Sequence, residues 1–252
     1  MPAMMKKECR TCPVSESCIL FGLSRECVSK FSHPPTTYSI KEKGKTIFNQ
    51  GQPITGVYVL CKGMVKLTKI SEKGNEVIID ILRPCSFIGE INGGDRSIHG
   101  YSAITAGGLT ELICFKIEDL VSVIRSHPTF AVNLSQQLST NLHQAYRLIA
   151  NMKLPVEERL IAILARVMLW GKGQSPMRPA KIPFSCRELA QLAQTTPETL
   201  SRVFRDLQKR GIIRVERKTV WLEKPDTITN YLDDENDENR LIQTNPKTRG
   251  FF

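Results

Sequence analysis

The chain has no apolar run of the ~18 or more residues that a membrane-spanning helix needs, so no membrane partner is expected. Its first residues lack an apolar core followed by a cleavage site, so no secretory leader is read and a cytoplasmic location is expected. There is no Walker-type glycine loop, no nucleophile motif and no catalytic constellation, which argues against an enzyme. What is present is ordinary globular composition, with 41% apolar residues. At 252 residues the chain can bury two cores. A net charge of +10 and a pI near 9.3 favour a polyanionic partner. Eight cysteines in a reducing compartment read as metal ligands or redox sensors rather than as a disulfide framework.

The most informative stretch is Thr195 to Arg210. Thr196 suits an N-cap and Pro197 the first helical position. Leu200, Val203, Phe204 and Leu207 follow the spacing of one apolar stripe. Glu198, Ser201, Arg202 and Arg205 repeat that spacing on the other side. Arg202 can donate a bidentate pair to guanine, Glu198 can accept from cytosine N4, and Ser201 can reach a base or a phosphate. Arg205 is better placed for the DNA backbone. Upstream, Ser185-Cys186-Arg187-Glu188 is a capping box that opens a short helix and carries Arg187 as a further DNA contact. Gly211 stops the second helix, and two β-prone runs follow, Ile212–Val215 and Thr219–Leu222. Helix, turn, helix and hairpin make a winged helix-turn-helix for double-stranded DNA. From Lys181 to Lys224 there are ten Lys/Arg against five Asp/Glu, as phosphate contact requires.

At the other end stands Cys9-x2-Cys12-x5-Cys18, three thiols within ten residues. Such spacing lets thiolates converge on one metal centre, and iron–sulfur, zinc and redox dithiol readings all fit it. Cys27 falls in a predicted helix from Ser24 onward, as a buried or incidental thiol. From about Thr37 to Lys116, short alternating segments punctuated by glycine predict an antiparallel barrel or roll. Predicted strands are Thr46–Phe48, Val57–Leu60, Val65–Ile70, Val77–Leu82, Tyr101–Thr105 and Leu109–Phe115. Ser71, Glu72, Lys73, Gly74 and Asn75 form a polar, exposed hairpin tip. Cys114 reads as a small buried residue, Cys85 sits at a turn after Pro84, and His33 and His99 read as surface or turn residues.

A short helix over Glu118–Arg125 precedes a long one, Thr129 to about Met152, free of Gly and Pro. Its seam of Leu134, Leu138, Leu142, Ala145, Leu148, Ile149 and Met152, with Asn141 among them, suits pairing with a second copy of the chain. Leu154-Pro155 then breaks the helix. The expected fold class is α+β. Residues 1–30 are a cysteine-rich segment, 31–127 a β-roll, 128–154 a dimerisation helix, 155–225 the winged helix-turn-helix, and 226–252 an acidic tail.

Three motifs together resemble the cyclic-AMP receptor protein/FNR family of bacterial transcription regulators, and its FNR branch most. They are the Cys9/Cys12/Cys18 spacing followed by Ile19-Leu20-Phe21, the Val156-Glu157-Glu158-Arg159-Leu160 helix opening, and Glu198-Thr199-Leu200-Ser201-Arg202. The resemblance spans about residues 9–225 and implies a homodimeric regulator responding to oxygen or redox state. It implies that Cys9, Cys12 and Cys18 bind a [4Fe–4S] cluster. It further implies that Glu198, Ser201 and Arg202 read TTGAT-like half-sites, and that Ser71–Asn75 contacts RNA polymerase. The family's fourth cluster ligand falls at Thr110 here; Cys114, four residues on, is the expected substitute, with Cys27 and Cys85 as rivals. Four residues along a strand is a displacement of ~13 Å. The Gly89-Glu90 and Arg96-Ser97 pairs echo a cyclic-nucleotide phosphate cassette, but Ala145-Tyr146 replace the two hydroxyl residues of that branch. The alternative is a regulator of the same family that uses a dithiol–disulfide switch or a small-molecule effector.

Overall fold

A computed structural model describes residues 18–20, 32–33, 35–91, 97–169, 180–216, 219–224 and 228. Cys9, Cys12, Cys27, Arg96 and most of the 226–252 segment lie outside these residues. The chain divides into two compact units, Met1–Ile149 and Ala150–Phe252.

The first unit is a β-roll of two four-stranded sheets. One sheet joins β1 (Thr36–Ile40), β8 (Thr110–Lys116), β3 (Gly56–Lys62) and β6 (Phe87–Ile88), in that order. The other joins β2 (Thr46–Phe48), β7 (Ser102–Thr105), β4 (Val65–Ile70) and β5 (Glu76–Leu82). All the pairings are antiparallel. Strand alternation sorts the side chains into two cores. Leu60 and Leu112 pack with Phe48, Val65, Leu67 and Ile88 inside the roll. Val57, Val59, Ile113 and Phe115 point the other way and pack with Ile19, Phe87 and the helices that follow. The six predicted strands are present. Sequence reading did not separate out β1 or β6, nor the short strand Ala180–Ile182 of the second unit.

Helix α1 (Ile117–Ser126) leads into α2 (Pro128–Asn151). Buried Asp119 of α1 accepts the backbone N–H groups of Ser32 at 2.9 Å and His33 at 3.1 Å. This carboxylate fastens the incoming chain to the roll. Phe130 and Leu134, in the first two turns of α2, belong to the same core as Ile19.

The second unit begins with the end of α2 and continues with α3 (Val156–Leu169), β9 (Ala180–Ile182), α4 (Cys186–Leu192), α5 (Pro197–Lys209), β10 (Ile213–Glu216) and β11 (Thr219–Leu222). The three strands pair in the order β10-β11-β9. Its core takes Leu160 and Leu164 from α3, Leu189 and Ala190 from α4, and Leu200, Phe204 and Leu207 from α5. Each fully buried leucine contributes about 1.5–3 kcal/mol. Among the described residues no helix is long and apolar enough to cross a membrane.

Candidate DNA-reading face and cysteine site

The helix pair is set by local chemistry. Ser185 caps α4 with its hydroxyl on the Glu188 N–H, while the Glu188 side chain accepts from the Ser185 N–H at 2.9 Å. The chain then reverses through Gln194, whose φ of 49° is left-handed. Thr196 caps α5, accepting the Thr199 N–H at 3.3 Å. At its far end Gly211 takes a φ of 66°, and the Ile212 N–H donates to the Leu207 carbonyl, a Schellman closure that needs glycine. Arg210 ties α5 to α3 through Glu157 at 2.6 Å.

This places Glu198, Ser201, Arg202 and Arg205 together on the exposed side of α5, with Leu200, Phe204 and Leu207 buried opposite. Among the described residues neither Arg202 nor Arg205 has an ion-pair partner. Glu198 is held below the usual carboxylate range, chiefly by its own N–H and then by the Thr196 hydroxyl. It meets solvent as an anion, the form that accepts from a base amino group. Ser201 Oγ donates to the Pro197 carbonyl at 2.8 Å. Arg187 is exposed on α4. Arg214 in the wing is consumed internally, by Glu216, by Glu223 and by the Trp221 ring at 5.5 Å.

In the first unit, the Ser71–Asn75 tip is exposed, closed by the Ser71 N–H on the Asn75 carbonyl at 2.9 Å, with Gly74 at φ 78°. The seam of α2 divides. Leu134 is only 5% exposed and serves its own roll. Leu138, Leu142, Ile149 and Met152 are exposed, Ile149 by 62%, and form an apolar stripe on the single chain. Ala145 is exposed too, while Asn141 and Leu148 are half-buried. Asn141 accepts from Gln137 at 3.0 Å.

The cysteines fall into two groups. Cys18 and Cys61 pack on the core that holds Ile19. The Cys85 thiol hydrogen-bonds the Cys18 sulfur, and that bond, more than the Leu20 N–H, lowers the Cys18 pKa against the opposing effect of burial. Cys85 lies in the turn after β5, its N–H on the Leu60 carbonyl at 2.7 Å and its φ at 73°. Cys114 faces elsewhere. It pairs across β8 with Tyr58 and Thr36, touches the Tyr58 side chain, and stands on the opposite face of the strand from Ile113 and Phe115. Burial pushes its thiol up and that of the Tyr58 hydroxyl to about 12. Thr110 is fully buried, its hydroxyl donating to the Gly108 carbonyl at 3.2 Å. Among the described residues no group of three or more His, Cys, Asp or Glu side chains is arranged to hold a metal ion.

His33 is exposed as expected, but the expectation for His99 needs correction. His99 is neither a surface nor a turn residue: it is 3% exposed and stacks on Phe48 at 3.7 Å. Glu90, of the cassette-like pair, accepts the Gly100 N–H at 3.0 Å and approaches His99 Nδ1 at 3.5 Å. Neither His99 nor Asp119 was legible as a buried anchor, because the partners of both are distant in sequence.

Comparison with known proteins gives two family matches. Residues 41–127 match a cyclic nucleotide-binding domain, and residues 158–230 match a Crp-like helix-turn-helix domain. A "Cyclic AMP receptor protein" of Thermus thermophilus is 32% identical over 71% of this chain and 80% of its own length. A "Global nitrogen regulator" of Nostoc is 27% identical over 78% of this chain and 89% of its own. A "Fumarate and nitrate reduction regulatory protein" of Salmonella typhimurium is 24% identical over 87% of this chain and 88% of its own.

Proposed function

Because this chain belongs to the cyclic-AMP receptor protein/FNR family of dimeric, DNA-binding transcription regulators, which are not enzymes, we propose that it is the oxygen- or redox-responsive kind. The observation that carries this reading is the seating of the cysteine segment. Ile19, next to Cys18, lies 2% exposed in one core with Val57, Phe115, Phe130 and Leu134. A change at the cysteines therefore acts on the same packed cluster that holds the base of α2. The relative named for fumarate and nitrate reduction supports the reading by covering more of this chain than the nitrogen regulator does.

In this reading Cys9, Cys12 and Cys18 hold a [4Fe–4S] cluster. The soft thiolate donor set fits such a group, and the Cys85 thiol beside Cys18 supports a sulfur-rich surround there. When bound, the cluster supplies an oxidant-labile link between the N-terminal segment and the roll. The chain's own residues do the rest. The stripe of Leu138, Leu142, Ile149 and Met152 pairs two copies through α2. Glu198, Ser201 and Arg202 read each half of a TTGAT-type palindrome, Arg205, Arg187 and Thr196 hold the backbone, and Ser71–Asn75 meets RNA polymerase. Sensor state and DNA affinity are linked reciprocally: the sensor state changes DNA affinity by the same free energy by which bound DNA changes the sensor equilibrium.

The test is an anaerobic preparation assayed for iron, acid-labile sulfide and visible absorption, before and after air, beside binding to a TTGAT palindrome. About four irons per monomer, bleaching in air together with loss of DNA affinity, is the expected result. A colourless protein after reconstitution would sink the cluster reading. The Cys18–Cys85 hydrogen bond supports a second reading, a dithiol switch. There, peroxide would take two hydrogens from the pair as a disulfide forms and water is released, and the mass would fall accordingly without any iron.

A further inference from the structure

We propose that the opening turn of α3 is a positioning junction for DNA reading: Glu157 fixes the tilt of α5 through Arg210, and Arg159 fixes the exit from α2. This rests on the reading of α5 as the base-contacting helix. The Val156-Glu157-Glu158-Arg159-Leu160 segment belongs to neither proposed site, yet two of its side chains reach out to other elements.

The Glu157 contact follows from helical spacing. Glu157, Leu160, Ile161 and Leu164 fall at i, i+3, i+4 and i+7, so they share one face of α3. The three apolar members are no more than 5% exposed. A carboxylate therefore heads a buried stripe, where an apolar side chain would otherwise pack. Its partner accounts for it: Arg210 Nη1 donates to Glu157 Oε1 at 2.6 Å. The same nitrogen donates to Asp206 Oδ2 at 3.1 Å, one turn earlier on α5. Favourable charge at the start of α3 needs no such aim, because Glu158 stands in the same first turn.

Arg210 is the C-cap of α5, and its carbonyl accepts from Lys224 Nζ at 3.4 Å. Glu198, Ser201 and Arg202 lie towards the other end; Arg202 and Arg210 are ~12 Å apart along the helix. The Thr196 cap holds the N-terminal end, and Leu200, Phe204 and Leu207 hold the middle. The freedom left to α5 is a tilt about that buried middle, and a tether at Arg210 removes it. Small tilts matter, because paired hydrogen bonds to a base edge need side chains held to within about 0.5 Å.

Arg159 faces the other way along the chain. The last turn of α2 holds no basic residue, so the partial negative charge of its carbonyl end has no cation there. Arg159 Nη1 supplies one, donating to the Met152 carbonyl at 3.4 Å, just past the end of the helix. Its Nε is buried and has no hydrogen-bond partner among the described residues. A buried donor without an acceptor costs stability, and an apolar side chain of similar length would fill the space without that cost. The guanidinium is accounted for as a clamp on the bend from Met152 to Pro155, through which α2 joins α3.

The full-length protein, prepared without oxygen, first selects its palindrome from random duplex DNA. Wild type, Glu157→Gln, Arg210→Gln, the double variant, Arg159→Met and Arg159→Lys are then titrated on three duplexes: that palindrome, a scrambled sequence, and the palindrome with one base pair added between its halves. The two charge variants alter net charge in opposite directions. A pure charge effect would thus strengthen binding to every duplex in Glu157→Gln and weaken it in Arg210→Gln. A positioning pair acts alike in both. The palindrome-to-scrambled affinity ratio is expected to fall about threefold or more in each, and no further in the double variant. Arg159→Met is expected to lose about threefold of its preference for the native spacing over the lengthened one, and Arg159→Lys to recover part of it. Each ratio compares two duplexes on one protein, so a partly unfolded variant does not change it. An unchanged ratio in the charge variants, losses that add in the double variant, or an unchanged spacing preference in Arg159→Met overturns the junction and leaves base reading by α5 standing. A wild type that selects no sequence overturns the reading of α5, and the junction with it.

Discussion

The proposed DNA-reading face and the proposed cysteine site are built in opposite ways. The face of α5 is open, and its side chains are set by neighbours within one turn: Thr196 under Glu198, Pro197 under Ser201. The cysteine site is closed in, and its members come from the N-terminal segment and the turn after β5. An open face of fixed charge suits a ligand that is always the same polyanion, whose affinity is governed by salt and by hydrogen-bond pattern. A shielded pair of thiols suits a signal that must act on packing, because whatever alters Cys18 lies next to Ile19 and thus to the base of α2. The two proposed sites differ in exposure before they differ in chemistry.

That contrast can be broken most severely at the stripe of α2, which both proposed functions need. Leu142→Glu combined with Ile149→Glu would bury four unpaired carboxylates, two from each chain, in the proposed dimer. A penalty of about 3 kcal/mol or more, ~100-fold in dimer affinity, is expected in sedimentation equilibrium, with the monomer fold intact because both side chains are exposed in the single chain. Next come the two arginines of α5, which should separate from each other. Arg202→Ala should cost about 1–3 kcal/mol on the specific palindrome and little on scrambled DNA. Arg205→Ala should weaken both alike and flatten the log–log salt slope by about 1 per subunit. Fluorescence anisotropy across a salt series tells the two patterns apart; equal losses on every sequence from both variants would refute base reading by Arg202.

Smaller effects test the anchors. Asp119→Ala leaves the Ser32 and His33 N–H groups without their acceptor and should destabilise the roll by about 1–3 kcal/mol in urea. Ser185→Ala should cost the second unit about 1 kcal/mol by removing its cap. The smallest effect is that of pH on His99. Burial lowers its pKa, against the opposing carboxylate of Glu90. The unfolded chain thus takes up the proton first. The stability that neutral His99 provides is complete above the unfolded value of about 6.5 and is lost as pH falls below it. Urea midpoints near neutral pH and about one unit below 6.5 should differ more in the wild type than in His99→Phe.

Legibility followed the same division. The helices of the second unit could be read because capping, proline placement and apolar spacing are properties of adjacent residues, and Thr196, Pro197 and Gly211 all act where they were expected. Most of the roll was legible from glycine turns and alternation. Strand β1 was not separated because it lies mostly exposed at the sheet edge; pairing with β8, not its own pattern, makes it a strand. Strands β6 and β9 are only two and three residues long. In the cysteine site the motif itself was visible, but the partner of Cys18 was not. Which thiol faces it depends on the parity of β8 and on the turn held by Leu60, and both are set by distant pairings. Leu134 shows the same limit within one helix: its spacing matches Leu138, yet the roll claims it.

One bond on α5 bears on which base can be read. Ser201 has a single hydroxyl hydrogen, and it already rests on the Pro197 carbonyl. It therefore approaches the groove with lone pairs foremost. Facing the amino group of adenine or cytosine, it can accept at once; facing a carbonyl oxygen of thymine or guanine, it must first turn its hydrogen away from the helix. At about 1 kcal/mol for the bond given up, that is roughly a fivefold handicap. In its proposed DNA-reading role, the helix thus expresses a preference about the letter opposite Ser201 before any DNA has arrived.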